Sequence, residues 1–271
     1  MTEPFYFGEL PRSLFGAFHP ALGQKSPDHD RQALLVCPPL LQDAIRSHRA
    51  LWRLGETLSE GGVDTLRFDW FGTGDSAGDD ADVLFEGLVD DVGMASEMLA
   101  SMTAATRMRR FGLRSSALPL LAHAARQRGP VDLVLWDPCL DGGALVEGWR
   151  RQQQEQMTVA GRYPYGAPTP DDDELMGFAV ADVLCDALSG FDGRKVVLPA
   201  GSRLLLAEWS PSVDTDAFVA HQLAAGVQVE RLLLDPDETP PFDQPRLFES
   251  QLFPRRSVAL LARRIVGGGG E

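Results

Sequence analysis

The feature that most constrains this chain is a recurrence. Short apolar runs of strand length alternate with amphipathic stretches of helix length. The runs are Ala33–Cys37, Val63–Phe68, Met108–Leu113, Val131–Trp136, Arg203–Ala207 and Val227–Leu234. Ala33–Cys37 is apolar throughout, which marks a strand buried on both faces. The stretches Asp43–Ser59, Asp82–Met102, Ala117–Ala125, Asp214–Ala225 and Ser257–Val266 read as helices. Such alternation gives a mostly parallel sheet with helices on both faces. An N-terminal hairpin, Phe5–Phe7 with Leu14–Phe18, brings the expected sheet to eight strands.

The alternation breaks between Asp137 and Asp192. That stretch holds Gln152-Gln153-Gln154, a turn-rich Gly161–Pro170, an acidic run Asp171–Glu174 and an apolar segment Leu175–Leu188 that reads as a helix. It predicts a helical cap inserted at 137–192, dividing an α/β core into residues 1–136 and 193–271. The 271 residues and 44% apolar content suffice for a large core. A net charge of -14 argues against nucleic-acid phosphate or an anionic membrane as partner. The apolar runs are too short for membrane insertion. Met1–Pro20 carries no basic and then apolar leader pattern, so no signal peptide is expected. Cys37, Cys139 and Cys185 are widely spaced, with neither a disulfide framework nor zinc-ligand spacing. A cytoplasmic setting with no metal and no cofactor is the expectation.

The chemistry turns on Phe111-Gly112-Leu113-Arg114-Ser115-Ser116-Ala117. A strand, a sharp small-residue turn and an apolar helix form the setting of a nucleophile elbow, G-x-S-x-G. On that pattern Gly112 takes the first glycine, Arg114 the nucleophile and Ser116 the last glycine.

Three stretches resemble the α/β-hydrolase family. They are the strand ending in Cys37-Pro38-Pro39, the loop Phe68-Asp69-Trp70-Phe71-Gly72-Thr73-Gly74-Asp75-Ser76, and the elbow. Together with Leu135-Trp136-Asp137-Pro138 and Asp141-Gly142, they look more narrowly like the hydrolase-like proteins associated with the exosortase A system of exopolysaccharide-producing bacteria. That group is close to the serine aminopeptidase-like branch. The resemblance implies the α/β-hydrolase fold and a hydrolase or acyl-transfer enzyme acting on an ester, thioester or amide.

The residues depart from that mechanism, which needs a serine, a histidine base, an orienting acid and two oxyanion N–H groups. Arg114 stays protonated and cannot attack a carbonyl. Ser115 would act only if the turn shifted; otherwise Ser115 and Ser116 satisfy free N–H groups in the first turn of the helix. The loop Asp235–Asp243 after the last strand lacks the expected histidine; His19, His29, His48, His123 and His221 lie elsewhere. Asp214 stands where the family places its acid, with Asp216 beside it. Both are also ordinary carboxylates for a helix N-terminus. Pro39 has no N–H, leaving Leu40 and Ser115 as oxyanion donors.

On this reading the remnant pocket is ringed by Arg114, Cys37, Leu40, Asp69, Trp70 and His48. Cys37 is either a nucleophile or inert packing. Arg114 either anchors a carboxylate or phosphate or pairs internally with Asp69 or Asp75. Two readings follow: a hydrolase-type enzyme with a degenerate triad, or a non-catalytic ligand-binding or accessory protein of a bacterial biosynthetic or exopolysaccharide pathway. The expected partner is a small anionic or acyl molecule, with a second copy of the chain or a pathway protein as the macromolecular options.

Overall fold

A computed structural model describes residues 2–22, 31–159, 163, 165–166, 173–247 and 253–267. The polar loop 23–30 and most of the turn-rich and acidic segment 160–172 lie outside the described residues.

Eight strands form one sheet: β1 (Glu3–Phe7), β2 (Leu14–His19), β3 (Gln32–Cys37), β4 (Val63–Phe68), β5 (Arg107–Leu113), β6 (Asp132–Trp136), β9 (Arg203–Glu208) and β10 (Gln228–Leu233). Their order is β1-β2-β4-β3-β5-β6-β9-β10. The hairpin β1–β2 and the β2–β4 pair are antiparallel, and every other pair is parallel. This is the mostly parallel, eight-stranded sheet that the sequence predicts.

Side chains of alternate parity divide the core between the two faces. Leu34, Val36, Phe111, Leu113 and Trp136 pack beneath helices α1 (Gln42–Glu60) and α7 (Arg255–Val266). Leu35, Cys37, Leu66 and Phe68 pack on the opposite face with α2 (Phe85–Met102), α3 (Ala117–Ala125) and α6 (Val213–Ala224). From the central strand β3 the chain crosses to β4 on one side and later to β5 on the other. The loops leaving β3 and β5 therefore part company at the carboxyl end of the sheet. A doubly wound sheet opens its crevice at such a point.

Between β6 and β9 no strand among the described residues joins this sheet. The stretch contains α4 (Gly142–Met157), a two-stranded hairpin of β7 (Glu174–Leu175) and β8 (Phe178–Ala179), and α5 (Asp182–Ser189). It is tied at its base by the bridge between Asp141 and Asp192 and the N–H of Gly142 on the Phe191 carbonyl, 3.1 Å. Gly142 has to be glycine, since a Cβ there would fall 1.9 Å from the Leu188 carbonyl oxygen.

One predicted element is corrected. The segment 175–188 is not a single helix: Met176 and Gly177 have φ of 55° and 88° and form the tip of the β7–β8 hairpin. Left-handed backbone cannot continue an α-helix, so helix begins only at Asp182.

Candidate functional site

The elbow backbone is present. β5 ends at Leu113, Arg114 turns at φ 49°, and a short 3-10 turn, Arg114–Ser116, leads into α3. A non-glycine residue in left-handed backbone is the strained turn that such an elbow requires. Ser116 pins it: its hydroxyl accepts the Leu113 N–H at 2.8 Å and lies 2.9 Å from the Cys37 carbonyl oxygen.

Ser115 is fully buried. Its hydroxyl accepts the Leu40 N–H at 2.8 Å. The residue expected to replace Pro39 as an oxyanion donor therefore spends its N–H on Ser115, and Ser115 satisfies the β3 loop rather than its own helix.

Arg114 makes no pair with Asp69 or Asp75. Its Nε donates to Asp43 at 2.8 Å, Nη1 to Asp137 at 3.2 Å and Nη2 to Asp243 at 2.6 Å. The guanidinium also lies over the Phe242 ring, 4.7 Å from its centre. Asp43 sits in the first turn of α1, Asp137 (φ 45°) directly after β6, and Asp243 in the loop after β10. That last loop is the one expected to carry a histidine base. It returns to the elbow bearing a carboxylate, which Gln152 of α4 also contacts at 3.2 Å.

Burial works against the Arg114 charge, but Cys139 and the three carboxylates more than reverse it and hold the guanidinium well above its ordinary range. Asp43 and Asp137 are raised by burial, with Arg114 only partly offsetting this. The two directions agree physically: three acids compete for one full cation. The signal for these partners was legible as geometry, because loops after parallel strands converge at one end of the sheet.

Cys37 and Cys139 adjoin the elbow, and the remaining candidates lie apart from it. Burial pushes the Cys37 thiol up, despite the Arg110 guanidinium nearby, and Cys139 is pushed up to about 12 by burial. Neither is poised as a thiolate. Asp214 is exposed on α6 and pairs with Arg194 at 3.2 Å; Asp216 pairs with Arg231 at 2.7 Å. Asp214 is thus a helix-terminus carboxylate on the surface. His123 contacts Gln127, just beyond the end of α3, and His221 the Arg194 carbonyl. Among the described residues no group of histidine, cysteine, aspartate and glutamate could hold a metal ion.

A largely apolar cavity of about 680 Å³ lies beside the elbow loop. Arg114, Ser115 and Cys37 do not line it. Its walls are the Pro38–Leu41 loop, the first turns of α1 with His48, the Asp69–Asp75 loop, and Trp149, Phe178 and Leu184 of the inserted stretch. Leu41, with φ 54°, turns the loop between elbow and cavity. Trp70 is fixed by donating Nε1–H to the Pro38 carbonyl at 2.8 Å. The Asp69 carboxyl is raised by burial and accepts the Asp75 N–H at 3.1 Å. Of the candidate residues, Leu40, His48, Asp69 and Trp70 come together here. Arg67, for which the sequence carries no signal, joins them.

No protein-family profile and no curated protein matches the chain. Solved structures do. Est1E from Butyrivibrio proteoclasticus, with ferulic acid bound, superposes with a TM-score of 0.59 at 17% identity, covering 84% of this chain and 89% of that one. XC6422 from Xanthomonas campestris, a serine hydrolase without a lid, gives 0.54 at 16%, covering 100% and 97%. A thermostable carboxyl esterase from Bacillus coagulans gives 0.57 at 10%, covering 86% and 90%. With the sheet order above, these likenesses establish the α/β-hydrolase fold.

Proposed function

We propose that this α/β-hydrolase-fold protein binds a small molecule in the cavity beside its elbow and performs no acyl chemistry there. The observation that carries this is the arginine at the nucleophile position, bound by Asp43, Asp137 and Asp243. A guanidinium with three carboxylates is neither a nucleophile nor a base. The hydroxyl of its neighbour Ser115 occupies the Leu40 N–H, one of the two donors that an oxyanion would need. Residues 137–192 serve as the cap: Trp149, Phe178 and Leu184 close the cavity from above. The motif resemblance to exosortase-associated proteins fits an accessory role in exopolysaccharide production. Three unpaired cysteines fit a reducing compartment such as the cytoplasm.

A hydrolase reading has two observations in its favour: the elbow backbone is intact and the similar folds include esterases. It would require Ser115 to release Leu40 and to find a base. The deciding measurement is turnover of p-nitrophenyl acetate together with labelling by a fluorophosphonate probe. Neither should exceed the background of denatured protein. Stoichiometric labelling of Ser115 would overturn the proposal.

A further inference from the structure

The cavity contains one feature that its apolar walls do not explain. Arg67 stands near the end of β4, between two neighbouring strands, and lines the cavity. Its Nε donates to Nε2 of His19 on β2 at 3.0 Å. His19 is only 2% exposed, and its other ring nitrogen lies 3.2 Å from the Thr2 hydroxyl. Gly55 of α1 makes room for the ring, since a Cβ there would come within 3.0 Å of it. The imidazole must be neutral to accept from a guanidinium. Arg67 is therefore positioned by a partner that leaves its charge intact.

No ion pair neutralises that charge among the described residues. Burial weighs against the charge, and the Asp69 and Glu56 carboxylates act on it only from beyond ion-pair distance, Asp69 accepting the Asp75 N–H instead. A half-buried cation without a counter-ion is costly unless water or a ligand supplies the charge. Arg67 is fixed through Nε, so its two terminal nitrogens remain as a fork of the kind that matches a carboxylate.

We propose that the cavity takes an amphiphilic monocarboxylate, with its apolar body against Leu40, Trp70, Trp149 and Phe178 and its carboxylate on Arg67. The volume of about 680 Å³ lies within the usual range for small-molecule sites, about 300–1,000 Å³. The acid side of the lining selects the charge. Asp69, Asp75 and Asp80 all border the cavity and would repel a dianionic phosphate more strongly than a single carboxylate.

This inference rests on the binding role proposed above, and the experiment separates the two. Calorimetric titration of the full chain with decanoate, 1-decanol and octyl phosphate provides three arms. Decanoate should bind at least ten-fold more tightly than decanol, and octyl phosphate less tightly than decanoate. Arg67→Met should weaken decanoate by roughly ten- to a hundred-fold, the worth of one charge-assisted contact, and leave decanol unchanged. Arg67→Lys should retain part of the preference. The wild-type comparison alone tests the idea if a variant fails to fold. Equal affinities for decanoate and decanol would overturn the carboxylate assignment and leave the binding role standing. Octyl phosphate binding more tightly than decanoate would also overturn it. Failure of all three to bind would overturn both.

Discussion

Two arginines lie near the same end of the sheet, and the fold treats them in opposite ways. Arg114, at the elbow, meets Asp43, Asp137 and Asp243, and its guanidinium is occupied on every nitrogen. Arg67, at the cavity, meets the neutral face of His19 and no carboxylate at ion-pair distance among the described residues. The same side chain is thus a structural cross-link in one place and an available charge in the other. The difference comes from what surrounds each group. A buried cation given acids becomes scaffold, and one given an imidazole is held ready for an anion.

The sharpest way to break this comparison is to remove the cross-link. Arg114→Ala leaves Asp43, buried, facing Asp137 and Asp243 without their shared cation. Breaking one side of a buried pair costs about 3–5 kcal/mol. Asp243 is 59% exposed and contributes little to that figure. At about 2–4 °C per kcal/mol for a chain of this size class, the melting temperature should fall by roughly 6–20 °C. Decanoate affinity of the folded fraction should be unchanged. Arg114→Ser should be as unstable and still fail to turn over p-nitrophenyl acetate, because the loop 235–243 offers Asp243 and no histidine base. A variant that loses affinity but keeps its melting temperature would reverse the roles of the two arginines.

The next test addresses the partner of Arg67. Burial, and then the Arg67 charge, lower His19 from its ordinary value to about 4. In the window between about 6.5 and 4 the unfolded chain binds a proton at this site and the folded chain does not. Stability therefore rises with pH across that window and is lost as pH falls through it. The 2% exposure makes an effect on the order of 2 kcal/mol reasonable for a shift of this size. The carboxylates raised by burial, such as Asp69 and Asp91, titrate in the opposite sense. Subtracting the pH profile of His19→Gln, which keeps an acceptor for Arg67, from that of wild type isolates the histidine. Parallel profiles between pH 4 and 7 would show that His19 is not held neutral.

Much of this was legible in the sequence and some was not, for physical reasons. Strand boundaries fell within a residue or two because runs such as Leu34–Val36 and Leu133–Trp136 are apolar on both faces, a pattern that leaves few alternatives. The segment 175–188 misled because apolar residues over two short elements mimic one helical stripe, and Met176 gives no sign of its left-handed backbone. Of the alternatives for Arg114, pairing with Asp69 or Asp75 does not occur; its partners are Asp43, Asp137 and Asp243, from three separate stretches of chain. The Asp69 carboxylate was already committed to the Asp75 N–H, and the Asp69 carbonyl to the Ser76 hydroxyl at 2.6 Å. Arg67 went unread because an arginine within a strand looks like an outward-facing residue. Only the pairing of β4 with both β2 and β3 shows that it stands inside the sheet.

A smaller effect tests the cavity itself. Ala44, in the first turn of α1, lines it. Ala44→Phe puts a ring into space that a ligand body would use. Decanoate and decanol should both weaken by about ten-fold, equivalent to about 1.4 kcal/mol, with their ratio preserved. Stability should move by less than about 1.5 kcal/mol, since the added carbons enter a void rather than a packed core. A changed ratio would mean that carboxylate and apolar body occupy separate sites.

The smallest expected effect belongs to the residue that the family pattern ranks highest. Asp214 occupies the position of the catalytic acid in chain order, yet its side chain is 53% exposed. Its partner Arg194 is also held by Asp141 and Asp192, each at 2.7 Å, so removing one of three carboxylates leaves the guanidinium paired. Exposed pairs of this kind are worth about 0.2–1 kcal/mol, and the redundancy places Asp214→Asn at the low end. The melting temperature should shift by about 1 °C or less. Affinity for decanoate and background ester turnover should be the same as in wild type. The comparison with Arg114→Ala is informative because both replacements strike a position of the expected triad, one inside a buried cluster and one on the surface. A loss of affinity or turnover in Asp214→Asn would place α6 in the functional site and contradict the separation of elbow, cavity and surface drawn from these ion pairs.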